Sequence, residues 1–519
     1  ALTPWGSTET VRGSEKPPST DLSEGNDFFV GNFRQPAYLY PHKSVFADRI
    51  YGNKPEQKMK KSVKVILALA VIAIALTITY HAVNRIPAPE LTAEMRVKAI
   101  FDDGGCLDCH SATPNLPFYA SLPVAGDIVK KDVSEALKHT DLTEAYRALS
   151  DGRPVGEVTL SKIEKSVADG SMPMAKYYLV HWGSSLTDAK KEILLDWVKK
   201  HRAEHYPNNL SATVFANEPI QPIADSIPVD IRKVALGEML YNDPRLSSDN
   251  TVSCASCHNL QTGGVDNKAY SEGVGKQLGG VNAPTVFNAV YNFVQFWDGR
   301  AADLAEQAGG PPLNPVEMAS ASWDEIIGKL KADKIFTNAF TAVYPEGYSG
   351  ETITDAIAEY EKTLLTPDSR FDLYLKGDST ALSAEELHGY ELFKENRCAT
   401  CHVGPTLGGQ SYELMGLYGD YFADRGTEMT EEDNGRHKQT KTDYDLHRFK
   451  VPGLRNVALT APYYHDGTRQ TLDEAVSDMA KYQVGKTLPE SDVNDLTAFL
   501  ETLTGKLNGL PLTDGNALN

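Results

Sequence analysis

Residues 253–259 read SCASCHN, in which Cys254, Cys257 and His258 form a Cys-x-x-Cys-His element. The element recurs as CLDCH, with Cys106, Cys109 and His110, and as CATCH, with Cys398, Cys401 and His402. All six cysteines lie in these copies, so none remains for an independent disulfide. Two thiols at this spacing can add to the two vinyl groups of one haem, and the following histidine then lies under the iron as an axial ligand. Zinc also uses Cys-x-x-Cys, but it would need pairs to combine across distant segments and gives no reason for a histidine after each pair. A redox dithiol would explain one copy, not three. The reading is three covalently bound haem c groups, with His110, His258 and His402 as proximal ligands.

The 519-residue chain is long enough for three or four domains, and the near-even placement of the motifs gives each its own domain or half-domain. A formal net charge of −19 argues against a nucleic-acid partner, while a basic electron carrier could still be steered to such a surface. Around Met59 a cationic stretch, with Lys58, Lys60, Lys61 and Lys64, precedes an uncharged apolar run from Val65 to Tyr80. The run is shorter than the ~20 residues of a full span, but snorkelling Lys64 and interfacial Tyr80 extend it. No small-x-small cleavage site follows, which favours a retained anchor over a cleaved signal peptide. The expectation is one pass through the inner membrane, with the remainder in the periplasm. Residues 1–58, rich in Gly, Pro, Ser and Asn, are expected to be a disordered or non-native extension and receive no function.

Helical signals dominate and strand signals are few. The expected fold is mainly α: a transmembrane helix at 59–84 followed by three cytochrome c-like haem domains. The first occupies 92–205 and ends in a helix capped by Thr187 with Ile193, Leu194, Trp197 and Val198 on one face. A Pro/Asn/Ser-punctuated linker follows at 206–228. The second domain, 229–365, carries His258, and Ser322 with Glu325 gives a capping-box signature. The third, 366–506, opens with a second such box, Ser383 and Glu386, and closes with a helix bearing Leu496, Phe499, Leu500 and Leu503.

Function turns on the far side of each iron, where a methionine thioether closes the site and an open face allows chemistry. Met172, followed by Pro173, fits a small c-type cytochrome, with Met174 as a substitute. In the third domain Met415 and Met479 are the near candidates and Met429 a weaker one. Met318 follows His258 at nearly the interval by which Met172 follows His110, yet it stands beside Glu317 in a Pro/Gly-rich segment. Spacing leaves the middle site undecided.

From about 219 to 506 the chain resembles the bacterial di-haem cytochrome c peroxidases. The runs that carry the resemblance are VALGEMLYNDPRLSSDNTVSCASCH, NAPTVFN, QFWDGRA, EQAGGPPLNPVEM, PGLRNVALTAPYYHDG and MAKYQVGKTL. With its anchor and extra haem domain, 59–506 is similar to the three-haem, membrane-anchored quinol peroxidases. The resemblance implies that the haem on His258 is peroxidatic and that the haem on His402 transfers electrons with Met479 as its distal ligand. It places Gln307 and Glu317 in the distal pocket, Trp297 between these two haems, and a calcium ion at Asn282 and the carbonyls of Thr460 and Pro462. Relatives with two haems often carry a histidine in the Gly-rich loop that blocks the peroxidatic iron. Here the loop reads SEGVGKQLGG and the corresponding residue is Val274, which cannot ligate iron.

The implied activity is reduction of hydrogen peroxide to water with electrons from quinol, or from a small cytochrome or copper protein. The alternative is a membrane-tethered, three-haem electron-transfer subunit, which requires Met318 as a ligand. A relation to di-haem enzymes that mature a tryptophan-derived cofactor is disfavoured, since those use a tyrosine where Met479 stands. The sequence does not fix the oligomeric state.

Overall fold

Each Cys-x-x-Cys-His element follows a helix, and in each case a later helix packs against that first one. In the computed structural model, which describes residues 55–178 and 181–513, the pairs are Ala93–Gly104 with Asp188–His205, Ile231–Tyr241 with Gly350–Glu361, and Ala384–Glu395 with Glu490–Glu501. Local chemistry starts these helices, at Thr187 and Ser383 where the sequence predicts. Thr92, Thr187, Asp230 and Ser383 each accept a hydrogen bond from a first-turn amide. Ser383 and Glu386 complete a reciprocal box. At Ser322 the box is only half formed. The serine accepts from the Glu325 amide, but the Glu325 carboxylate reaches the amide of Ala321 rather than that of Ser322.

The helix pairs bury apolar faces spaced three and four residues apart. Val97, Ile100 and Phe101 meet Leu194, Trp197 and Val198 in one cluster. Leu236, Leu240, Ile353 and Ile357 lie in a second, and Tyr390, Phe393, Leu496, Phe499, Leu500 and Leu503 in a third. Two of the crossings are made at glycines. A Cβ on Gly237 would stand 1.9 Å from the Ala356 carbonyl oxygen, and one on Gly389 would stand 1.9 Å from that of Asp495. Only a hydrogen fits at either place.

Strands are few and short. Tyr412–Leu414 pairs antiparallel with Arg448–Lys450, with Tyr412 opposite Lys450, and Lys506–Leu507 pairs with Leu510–Pro511. The run at 206–228 is not a free connector. Ile220 and Ile223 are fully buried, Ile220 joins the third cluster, and the Gly404 amide donates to the Pro219 carbonyl at 2.8 Å. Apolar residues hidden between the Pro and Asn signals hold it against the third helix pair.

The chain forms two compact units, 1–72 and 73–519. In the first, the described residues belong to the helix Pro55–Val83, and its apolar side chains from Val63 to Ile72 are exposed. Residues 1–54, which hold most of the expected extension, lie outside the described residues. Among the described residues one helix, Lys60–Val83, is long and apolar enough to cross a membrane. In the second unit its end is tied down: Asn84 Nδ2 donates to the Trp182 carbonyl at 2.8 Å, and Asn84 Oδ1 accepts from the Ser185 amide at 3.0 Å.

Candidate functional site

The first and third motifs open into one cavity of about 890 Å³, toward the upper end for cofactor sites. Cys106, Cys109 and His110 lie on its wall with Met172 and Met174, and Cys398, Cys401 and His402 with Met415 and Met479. Met429 is exposed elsewhere. The His110 Nδ1–H donates to the Thr140 carbonyl at 3.0 Å and the His402 Nδ1–H to the Leu407 carbonyl at 2.8 Å. A carbonyl can only accept, so each bond fixes the tautomer that leaves the Nε2 lone pair free for a metal. Burial lowers the pKa of His110, His258 and His402, which keeps the rings neutral, as ligation requires.

The cysteines fit thioether attachment better than thiolate chemistry. Burial pushes Cys106 and Cys398 up to about 12 and Cys401 to about 11, and it raises Cys109, Cys254 and Cys257 as well. Thiols held neutral are poor redox nucleophiles, whereas a thioether carries no charge to bury. None of the six is in a disulfide, and none joins a cluster of metal-ligating side chains among the described residues. The cluster that does occur, Asp433, His465 and Asp466, is already engaged by protein partners. Arg425 bonds both carboxylates, at 2.6 Å and 2.8 Å from Nη1, and His465 Nε2 bonds Asp433 at 2.8 Å. Burial alone would raise Asp433, but His465 and Arg425 hold it well below the ordinary carboxylate range.

His258, Gln307 and Glu317 do not line the large cavity. His258 is held from behind by Tyr241, whose hydroxyl donates to the His258 carbonyl, and its buried Nδ1 has no hydrogen-bond partner. Glu317 is half-buried and within electrostatic reach of both Cys254 and Cys257. Burial raises its pKa, opposed by the Arg300 charge and by Asn314 Nδ2, which donates to Oε1 at 2.7 Å. Gln307 sits on the preceding helix, Leu304–Gly309. The Gly-rich loop lies over the acid: the Val274 amide donates to the Glu317 carbonyl at 2.7 Å, and Gly273 fits so tightly that a Cβ would stand 2.4 Å from that same oxygen. Val274 packs against the second cluster, and Met318, 2% exposed, is inside it.

Trp297 lines the large cavity together with Pro284, whose backbone acts on His258. Its indole Nε1–H donates to the Asn282 carbonyl at 2.9 Å. Asn282, Thr460 and Pro462 also reach the cavity wall, and the Asn282 amide donates to the Lys268 carbonyl at 2.8 Å, leaving its own oxygen as the side chain's acceptor.

Some residues with a part in the site carry no local sequence signal. Lys162 Nζ bonds Glu413 at 2.8 and 2.9 Å and the His139 carbonyl at 2.7 Å. Arg397, next to Cys398, bonds Asp169 and, at 2.8 Å, Ser171, next to Met172. Partners this far apart in sequence leave no periodicity or spacing to read.

Residues 231–380 match the di-haem cytochrome c peroxidase family, and residues 65–200 match a haem-binding domain family. Cytochrome c peroxidase Ccp of Escherichia coli strain K12 is 48% identical over 444 residues, covering 85% of this chain and 95% of that protein. Cytochrome c551 peroxidase of Nitrosomonas europaea is 47% identical over 297 residues, 57% of this chain and 86% of that one. Among solved structures, a MauG-like protein associated with microbial copper homeostasis shares 29% identity, with a TM-score of 0.48 over 54% of this chain and 91% of that one. Near-complete coverage at 48% identity settles kinship, and the chain belongs to the di-haem cytochrome c peroxidase family.

Proposed function

We propose that this chain is a membrane-anchored, three-haem c peroxidase that reduces hydrogen peroxide to two waters with two electrons and two protons. Its relatives named cytochrome c peroxidases support the activity. The observation that carries the assignment of the reacting centre is Glu317, a carboxyl with a raised pKa within electrostatic reach of Cys254 and Cys257.

Cys254, Cys257 and His258 would hold a haem that would supply the binding point for peroxide and the electrons. Glu317 takes the proton from the inner oxygen of peroxide and returns it to the outer one, so that water rather than hydroxide leaves. Burial favours its neutral form, which suits it to carry that proton between the two oxygens. The Asn314 amide fixes Oε1, which directs the other carboxyl oxygen to the proton. Gln307 orients peroxide through its amide, which can donate and accept hydrogen bonds but is a poor proton relay. The Gly-rich loop holds the backbone of the acid in place through the Val274 amide. The competing role as a closed electron conductor needs Met318 on the iron. That side chain instead packs with Leu236, Leu240 and Ile326 in the apolar core.

Three domains, at 92–205, 229–365 and 366–506, divide the labour in this proposal. His110 and Met172 would hold the haem at which electrons enter, His402 and Met479 would hold the next, and Trp297 would stand on the way to the haem held by His258. Sharing of one cavity by the first and third motifs supports the first step, and the reach of Trp297 and Pro284 to its wall supports the second. The apolar helix, tied through Asn84 to Trp182 and Ser185, keeps the entry domain at the outer face of the inner membrane, where quinol or a small cytochrome delivers electrons. Asn282, Thr460 and Pro462 are proposed to hold calcium at the junction beside Trp297.

The test is Glu317→Gln in the full-length holoprotein. Peroxide turnover is expected to fall by about 10²–10⁴-fold, with three haems still counted by intact mass and one five-coordinate iron still seen by EPR. Near-normal turnover would remove Glu317 from the mechanism, and three six-coordinate irons in every redox state would leave only the conductor.

A further inference from the structure

Lys450 is 5% exposed, and its side chain faces the large cavity with no hydrogen-bond or ion-pair partner among the described residues. The other buried cations have protein partners: Lys190 bonds Asp103, and Arg448 donates to the Tyr444 and Leu137 carbonyls. Arg202 meets Glu157 and Glu164, Arg425 meets Asp433 and Asp466, and Arg455 meets Asp372. Burial lowers the Lys450 pKa to about 8, as expected for an ammonium removed from water without a counter-charge. Lys450 differs from these in having no protein acceptor among the described residues, which leaves it for something that is not protein.

The position of Lys450 says what that is. It ends the strand Arg448–Lys450, its amide donates to the Trp297 carbonyl at 2.8 Å, and it stands two residues before Pro452, whose backbone acts on His402. The side chain therefore belongs to the wall between His402 and Trp297. A haem held by Cys398, Cys401 and His402 would carry two carboxylates, the chemistry that a buried ammonium on this cavity wall would meet.

We propose that Lys450 is the buried counter-charge for a carboxylate of the haem held by Cys398, Cys401 and His402, and that it raises the reduction potential of that haem. The inference rests on the three-haem reading. Reduction adds an electron to the haem, and a fixed positive charge in a medium of low dielectric favours the state that carries more negative charge. Lys450 is thus a tuning residue that keeps the third haem an acceptor for the first, and it does not touch peroxide.

The experiment is spectroelectrochemical titration of wild-type, K450M and K450R holoproteins, with haems counted by intact mass. K450M is expected to lower the potential of the six-coordinate haem on His402 and leave the other two in place, while K450R stays near wild type. If K450M does not accumulate as holoprotein, K450Q against K450R carries the same comparison, since the neutral amide lowers the potential and the guanidinium keeps it. Three unchanged potentials in a fully loaded neutral variant, or a shift confined to another haem, would overturn the proposal. Absence of haem from Cys398 and Cys401 in wild type would instead overturn the reading on which it rests.

Discussion

Glu361 and Glu317 are both carboxyls raised by burial near the middle motif, but only Glu317 has a polar side chain on it. Glu361 is pushed up to about 8 by burial alone, and it closes the helix Gly350–Glu361, where the helix dipole also disfavours negative charge. Its folded pKa lies above its ordinary value of 4.5, so its contribution to stability is greatest below pH 4.5 and is lost as pH rises to about 8. The slope across that window is at most about 1.4 kcal/mol per pH unit. Glu361→Gln removes this term. The variant is expected to gain on wild type in thermal midpoint from pH 5 to pH 8, and parallel stability curves for the two proteins would contradict the assignment.

Among elements, the glycine crossings make the sharpest prediction. Gly237 and Gly389 occupy equivalent places, each in the helix before a motif and each against a carbonyl of the later helix. Gly237→Ala and Gly389→Ala force the helices apart, at a cost of about 1–3 kcal/mol each. Gly328 is the control, because a Cβ there meets nothing within 4 Å in the helix Trp323–Lys331. Gly328→Ala is expected to stabilise by about 0.5–1 kcal/mol through helix propensity. Denaturant midpoints of the three holoproteins check both signs. The helices themselves were legible from capping residues and apolar spacing. That two of them cross at glycine was not, because LGEML and HGYEL do not say what lies opposite.

For the whole molecule, the question is what seats the first motif's segment against the third. The Arg397–Asp169 pair is partly exposed, 40% and 32%, and such pairs contribute only about 0.2–1 kcal/mol. Lys162 and Glu413 are 17% and 13% exposed, and removal of one partner from a buried pair costs about 3–5 kcal/mol by leaving the other charge uncompensated. Burial alone would lower the Lys162 pKa, but Glu413 keeps it above the ordinary value. In rapid-mixing experiments, Arg397→Glu is expected to slow electron transfer between the first and third haems by a few fold, with recovery in the double variant with Asp169→Arg. Lys162→Met is expected to slow it by ~10-fold or more, with partial rescue by Glu413→Gln. Equal effects of the two single changes would mean that burial does not govern the seating.

The sequence by itself determined the pattern along the chain: three Cys-x-x-Cys-His motifs, the apolar helix, and the helix starts at Thr187 and Ser383. These are decided within a few residues, since thiol spacing, capping and apolar periodicity are local properties. It also carried, through resemblance, the expectation of an acid at Glu317. Tertiary structure alone decided which groups face one another. It buried Ile220 in a run that reads as a linker, moved the Glu325 carboxylate to Ala321, joined the first and third motifs in one cavity, and left Lys450 there without a counter-charge. Those outcomes depend on contacts between residues as distant as Lys162 and Glu413, and on how much water each contact excludes. Burial sets both the energy of a charge and the pKa of an acid, and a one-dimensional pattern does not record it.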